Sequence, residues 1–220
     1  MEFNLVQAVA VYAIPVIFAI TLHEAAHGYV ARHFGDLTAW RLGRVSLNPL
    51  RHIDLIGTIV VPLAILAVAK MLGGASFLFG WAKPLPVNFH ALRRPKRDML
   101  WVAAAGPGAN LVMALGWALL LKLALVMPQN YFTVPLGLIA EAGIGVNIVL
   151  MLLNLLPILP LDGGRIAVSL LPERLAMLYA RSEPLGFPIL LVLLFTNVLS
   201  AVLAPMVYAS IGLIGTLFQL

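Results

Sequence analysis

Leu5-Val-Gln-Ala-Val-Ala-Val-Tyr-Ala-Ile-Pro-Val-Ile-Phe-Ala-Ile-Thr-Leu22, followed at once by His23-Glu24-Ala25-Ala26-His27, decides how this chain is read. Across the first stretch only Gln7 and Thr21 are not apolar, and Tyr12 alone is amphipathic. That is enough to span a bilayer, which takes roughly 18–20 apolar residues. Two imidazoles and a carboxylate then sit where ionisable groups are costly, and such groups mark functional sites. Histidines four apart on a helix share a face and can grip one metal ion, and the intervening glutamate is placed to act on a metal-bound water.

The rest of the composition agrees with a membrane setting. The chain has 220 residues, 62% hydrophobic and 10% charged, with a mean hydropathy of +1.01; soluble domains are nearer half apolar and a quarter charged. It reads as one integral-membrane domain over 1–220, with a core at 5–182 and further membrane helices at 185–218. Met1-Glu2-Phe3-Asn4 lacks the positive region of a signal peptide. The absence of cysteine excludes disulfides and thiolate ligands. A net charge of +5 fits cytoplasmic loops rather than nucleic-acid binding.

Five apolar regions stand out, at 5–31, 54–79, 99–127, 134–160 and 185–218. The first continues as helix through His33 and ends near Gly35-Asp36. Residues 37–50 alternate loosely and predict a short β-hairpin. Residues 80–97, with Pro84, Pro86 and a basic cluster, predict an extended segment on the membrane surface. Gly106-Pro107-Gly108 predicts a local distortion in the third region, 164–181 an interfacial helix, and Ala204-Pro205 a break in the last. The expected fold class is an all-α polytopic membrane protein, a bundle of about four to six transmembrane helices with a short β-hairpin or extended segment near the active site.

Charge sets the expected orientation. Arg32, Arg41, Arg44 and Arg51, and then Lys83, Arg93, Arg94, Lys96 and Arg97, form two basic loops that prefer the cytoplasm. The first helix then runs inward, and 54–79 must leave and return on one side. At roughly 1.5 Å per residue it is too short for two crossings, so a re-entrant hairpin around Gly73-Gly74 is expected; one spanning helix over 54–72 is the alternative.

A catalytic zinc takes three protein ligands and leaves a position for water. His23 and His27 supply two. Asp162 is the best third, following a long apolar helix between Pro160 and Gly163-Gly164. A re-entrant 54–79 brings it to the depth of the histidines, and a spanning helix there would not. Asp36, Asp54, Glu141, Glu2, Asp98, Glu173 and Glu183 lie in loops, flanks or motif-free helix. Asp162 also suits an N-cap for a helix starting at Gly163, a compatible role. Glu24 is placed to take the proton of the attacking water and return it to a leaving amine.

His23–His27, Ala-Gly-Pro-Gly-Ala-Asn at 105–110 and Asn-Leu-Leu-Pro-Ile-Leu-Pro-Leu-Asp-Gly-Gly-Arg at 154–165 together resemble the three signatures of the site-2 protease family. Gly80-Trp-Ala-Lys-Pro-Leu-Pro-Val-Asn88 resembles a stretch of its short members, without PDZ or CBS domain. The resemblance implies an intramembrane zinc endopeptidase of a prokaryotic plasma membrane, multi-pass, with its active site toward the cytoplasm. It further implies that one Zn2+ is held by His23, His27 and Asp162, that Glu24 is the general base, and that Asn154 contacts substrate or the developing oxyanion. The partners are a transmembrane protein or peptide substrate and the lipid bilayer, with no nucleic acid. Two other functions remain: a membrane metal-ion transporter, against which no internal repeat is visible, and a membrane protein whose zinc is structural.

The remaining polar residues have plainer expected roles. Asn110 and Asn147 are expected to tie helices together, as Asn154 could also do, and Gly106 and Gly108 to permit close helix packing. His33, His52 and His90 are expected at the surface, His52 with a possible hydrogen bond toward the site from beside Asp54. Arg165 is read as an anchor, and Trp40, Trp81 and Trp101 as an interfacial belt.

Overall fold

A computed structural model describes residues 5–52, 54, 57, 60 and 83–220. The choice between a re-entrant and a spanning 54–79 therefore lies outside the described residues. So does Trp81.

The first helix, α1 (Leu5–His33), carries the opening stretch in full. It stops where predicted. Gly35 takes φ +107, and the N–H groups of Gly35 and Asp36 donate back to Arg32 and Ala31 at 3.1 and 2.9 Å, a glycine-closed helix end. Asp36 is not a loop acid at the surface but 1% exposed. Its carboxylate accepts the N–H of Thr38 at 2.9 Å and of Asn88 at 2.7 Å.

That first contact corrects the hairpin expected at 37–50. With Asp36 holding the Thr38 N–H, the chain turns into a one-turn helix, α2 (Thr38–Arg41), which is followed by Gly43 with φ +63. A 3-10 turn follows at Pro49–Arg51, and no strand occurs among the described residues. The loose alternation is a weaker signal than the local side-chain-to-backbone hydrogen bonding. Residues 83–88 are extended, as predicted, but a 3-10 turn follows at Phe89–Ala91 and the next helix already starts at Pro95.

That helix, α3 (Pro95–Val126), has proline at its first position and buried Asp98 accepting the Arg94 N–H at 2.7 Å. At ~1.5 Å per residue it is about 48 Å long, so it outreaches a hydrocarbon core of about 30 Å. Antiparallel to it runs α4 (Thr133–Asn154). The expected interfacial helix is two pieces, α5 (Asp162–Leu170) and α6 (Glu173–Ala180), split at Leu171-Pro172. The last region breaks between α7 (Glu183–Phe195) and α8 (Val198–Phe218). Its break is at Asn197, in the left-handed conformation at φ 60, whereas Pro205 lies inside α8. Asparagine adopts that conformation more easily than other side chains, and membrane helices tolerate proline.

The core joins α3, α4 and α8 through Ala114, Ala118, Ile144, Ile148, Leu152, Leu199, Leu203 and Ile214. Small residues allow the close approach; a Cβ at Gly143 would stand 2.4 Å from the Trp117 ring. Helix α1 packs on α3 and α4, and α5 on α3. Outward-facing Val6, Val112 and Leu213 are 77%, 69% and 73% exposed, a surface suited to lipid. Four described helices (α1, α3, α4 and α8) are long and apolar enough to cross a membrane, and α6 with α7, bent by 63°, could make a fifth. This is a multi-pass membrane protein.

Candidate metal centre

Helix spacing puts His23 and His27 one turn apart on the inner face of α1, each 8% exposed. Facing them is a single stripe of α3, residues 102, 106 and 110, spaced four apart. The Val102 carbonyl accepts from His27 Nδ1 at 2.6 Å, and Asn110 Oδ1 accepts from His23 Nδ1 at 2.5 Å. Between them is Gly106, where a Cβ would lie 2.4 Å from His27 Nε2 and 2.6 Å from His23 Nε2. Gly106 therefore does more than let helices pack: its missing side chain is the space in front of both imidazoles.

The direction of the hydrogen bonds is fixed from one end. The Gly143 carbonyl can only accept, and Asn147 Nδ2 donates to it at 2.8 Å. Asn147 Oδ1 is then free to accept from Asn110 Nδ2 at 3.0 Å, which turns Asn110 Oδ1 toward His23. A proton on Nδ1 of each histidine follows from this network, so each Nε2 presents a lone pair. The 3.1 Å approach of the two Nε2 atoms then has no proton to share and is a contact between lone pairs.

Asp162 completes the group. Its Oδ2 lies 3.2 Å from His23 Nε2 and 3.4 Å from His27 Nε2, with the side chain 12% exposed, and among the described residues it is a buried oxygen without a hydrogen bond. Two lone pairs and an anionic oxygen facing one another repel unless a cation joins them. A tetrahedron with metal–ligand bonds of about 2.0–2.1 Å has edges of about 3.3 Å, close to the three separations here. Two nitrogens and one carboxylate oxygen fit a divalent metal such as zinc, with a fourth position left over.

Asp162 is held by backbone packing rather than by capping: Leu161 is the cap residue of α5, and no side chain caps it. A Cβ at Gly163 would stand 2.2 Å from the Leu155 carbonyl, and one at Gly164 2.6 Å from the Leu159 nitrogen. Only glycines let α5 begin so close to the end of α4.

Glu24, one residue after His23, has its Oε2 engaged by the Leu85 N–H at 3.0 Å. Leu85 lies between Pro84 and Pro86, so it carries the sole amide proton of that tripeptide. The extended strap is anchored on both sides of this contact, by Lys83 N–H on the His52 carbonyl at 2.9 Å and by Asn88 on Asp36. Gly28 makes room for it, since a Cβ there would be 2.5 Å from Val45 and 3.2 Å from Leu85.

Other expectations fare differently. Asn154 is half-buried at the end of α4 and donates to the Leu150 carbonyl at 3.0 Å. His33 and His90 are exposed. His52 is not a surface residue; it is 2% exposed, and its Nε2 hydrogen-bonds the Ser46 carbonyl at 2.7 Å rather than a ligand of the site. Arg165 pairs with Glu183 at 3.7 Å. Asn110, Asn147 and Gly106 are the residues whose part the sequence understated. The available signal was that amides inside apolar helices must find partners.

No family model matches the chain, and no solved structure matches it. Two relatives do, both with names that open "Putative zinc metalloprotease". The protein is 38% identical to YwhC of Bacillus subtilis (strain 168) over 209 residues, 94% of this chain and 90% of that one. It is 34% identical to Rip2 of Mycolicibacterium smegmatis (strain ATCC 700084 / mc(2)155) over 193 residues, 87% of this chain and 69% of that one. Identity of this order over nearly the whole length settles the kinship: the chain belongs to the site-2 protease-type family of zinc metalloproteases.

Proposed function

We propose that the protein is an intramembrane zinc endopeptidase that hydrolyses peptide bonds in or near transmembrane segments of other proteins. The observation that carries this reading is the buried triangle of His23 Nε2, His27 Nε2 and Asp162 Oδ2, with Glu24 adjacent, on a helix apolar enough to cross a membrane. His23, His27 and Asp162 hold the metal. Zinc, when bound, supplies Lewis acidity toward water and the scissile carbonyl. Glu24 takes a proton from the attacking water and returns it to the departing amine. The Asn110–Asn147 chain keeps the His23 lone pair aimed, and buried apolar walls exclude water elsewhere. Asn154, beside the loop that carries Asp162, contacts substrate or the developing oxyanion. The basic loops favour an active site toward the cytoplasm.

A peptide bond within a helix is shielded, so the substrate must be locally extended. The strap at 83–88 is the segment suited to hold it by strand addition. Replacing Pro84 and Pro86 should lower cleavage while metal stays bound; undiminished cleavage removes the strap from the mechanism.

The deciding experiment purifies the full chain in detergent, measures metal, and incubates it with single-span substrates beside Glu24→Gln. The protease reading requires metal retained and cleavage lost. A variant that still transports zinc across liposomes, or a wild type that cleaves nothing, would refute it.

A further inference from the structure

The turn after α2 builds a second site, away from the metal centre. A pocket of about 550 Å³ is lined by Arg41, Arg44, Arg51 and Lys83, with Leu42 and Leu50 at its wall. Among the described residues none of these four cations is ion-paired. The only acid from residue 37 to 97 is Asp54, which does not line the pocket.

The cations are instead held together by backbone. Arg44 Nη2 donates to the Lys83 carbonyl at 3.1 Å, and Arg51 donates to the carbonyl of Gly43. Arg44 Nε is buried and has no acceptor among the described residues. Guanidinium groups present donors in a fork that matches phosphate oxygens. A cradle of four like charges with an orphaned donor is complete only with an anion in it.

The position indicates which anion. Arg32, in the last turn of the spanning helix α1, stacks over Trp40 with 3.5 Å to the ring centroid. That contact fixes α2 where the span ends, at the depth of lipid headgroups. Leu42 and Leu50, 64% and 72% exposed, offer apolar surface beside the charges, which suits an amphiphile better than a free ion. We propose that Arg41, Arg44, Arg51 and Lys83 bind the phosphate of an anionic phospholipid headgroup, with Leu42 and Leu50 against the lipid body. Lys83 is two residues before Leu85, so the bound headgroup also steadies the strap that reaches Glu24. The site itself stands independently of the proteolytic reading.

Binding of a fluorescent phosphatidylglycerol to the detergent-solubilised full chain tests this, with phosphatidylcholine as the neutral probe and inorganic phosphate as competitor. Each basic residue near an anionic surface contributes enough that losing two should weaken phosphatidylglycerol binding about tenfold or more. That is the result expected of Arg44→Gln with Arg51→Gln, and of the exposed pair Arg41→Gln with Lys83→Gln should the first fold poorly. Arg174→Gln with Arg181→Gln, exposed on and just after α6, removes the same charge elsewhere and should leave binding within about twofold. Equal losses in the two sets, wild-type binding in both pocket variants, or phosphatidylcholine binding as tightly, overturns the site. Full displacement by inorganic phosphate at low concentration overturns the lipid assignment in favour of a free anion.

Discussion

Gly106→Ala should abolish metal binding while Gly108→Ala leaves it intact, although both glycines belong to one Gly-Pro-Gly run. The added methyl at 106 would sit 2.4 Å from His27 Nε2 and 2.6 Å from His23 Nε2, against ordinary contacts of 3.4–4 Å. Relief needs about 1 Å of movement in two buried rings whose Nδ1 atoms are already tied to Val102 and Asn110. Metal–nitrogen bonds of about 2.0–2.1 Å do not survive such a shift, and even disturbing the groups that orient such ligands costs about 10–100-fold in metal affinity. At 108 nothing lies within 4 Å of the new methyl, and alanine is the better helix former by about 1 kcal/mol. The assay is zinc per protein in detergent, by elemental analysis and by competition with a chromophoric chelator, with circular dichroism to confirm the helices. Wild-type zinc affinity in Gly106→Ala, or equal loss in both variants, would mean that the glycines serve helix packing alone.

Three further outcomes follow from the same contacts. Asn147→Leu, which touches no ligand, should lower zinc affinity about 10–100-fold by letting Asn110 turn away from His23; an unchanged affinity in chelator competition would remove the relay. Asp36→Ala leaves the Thr38 and Asn88 N–H groups unpaired and should cost about 1–3 kcal/mol, read as a lower thermal midpoint, with no change expected if the strap holds itself. Because His23, His27 and Asp162 repel without a cation, stripping zinc with a chelator should lower that midpoint in the wild type but hardly at all in Asp162→Asn; equal shifts would place the stabilising metal elsewhere.

What could be read from sequence was whatever depends on short spacing. His23 and His27 are one helical turn apart in any helix, and Asp162 could be picked out by its place after an apolar run. The hidden parts needed distant elements to meet. Asn110 and His23 are 87 positions apart, and Asn147 another 37 from Asn110, so each alone looked like helix glue. Gly106 looked the same as Gly108 because only the docked α1 distinguishes them. Asn197 outcompeted Pro205 as the break because a left-handed turn redirects a chain more sharply than one missing N–H in a lipid-facing helix. His52, with basic neighbours, reads as a surface residue, yet the fold buries it and bonds its Nε2 to the Ser46 carbonyl.

The run from Gly143 through Asn147 and Asn110 to His23 crosses between helices apolar enough to span a membrane, a setting in which a chain of polar groups can become a wire for protons. This one is a dead end. Neither amide titrates near neutral pH, every link has its direction set by a carbonyl that cannot donate, and so His23 has no route for passing its Nδ1 proton onward. A bilayer that stores energy as a proton gradient can thus host this buried polar centre without a short circuit. Asn110→Asp would insert a titratable link, and liposomes carrying that variant should collapse a pH gradient no faster than wild type only if the insulation lies elsewhere.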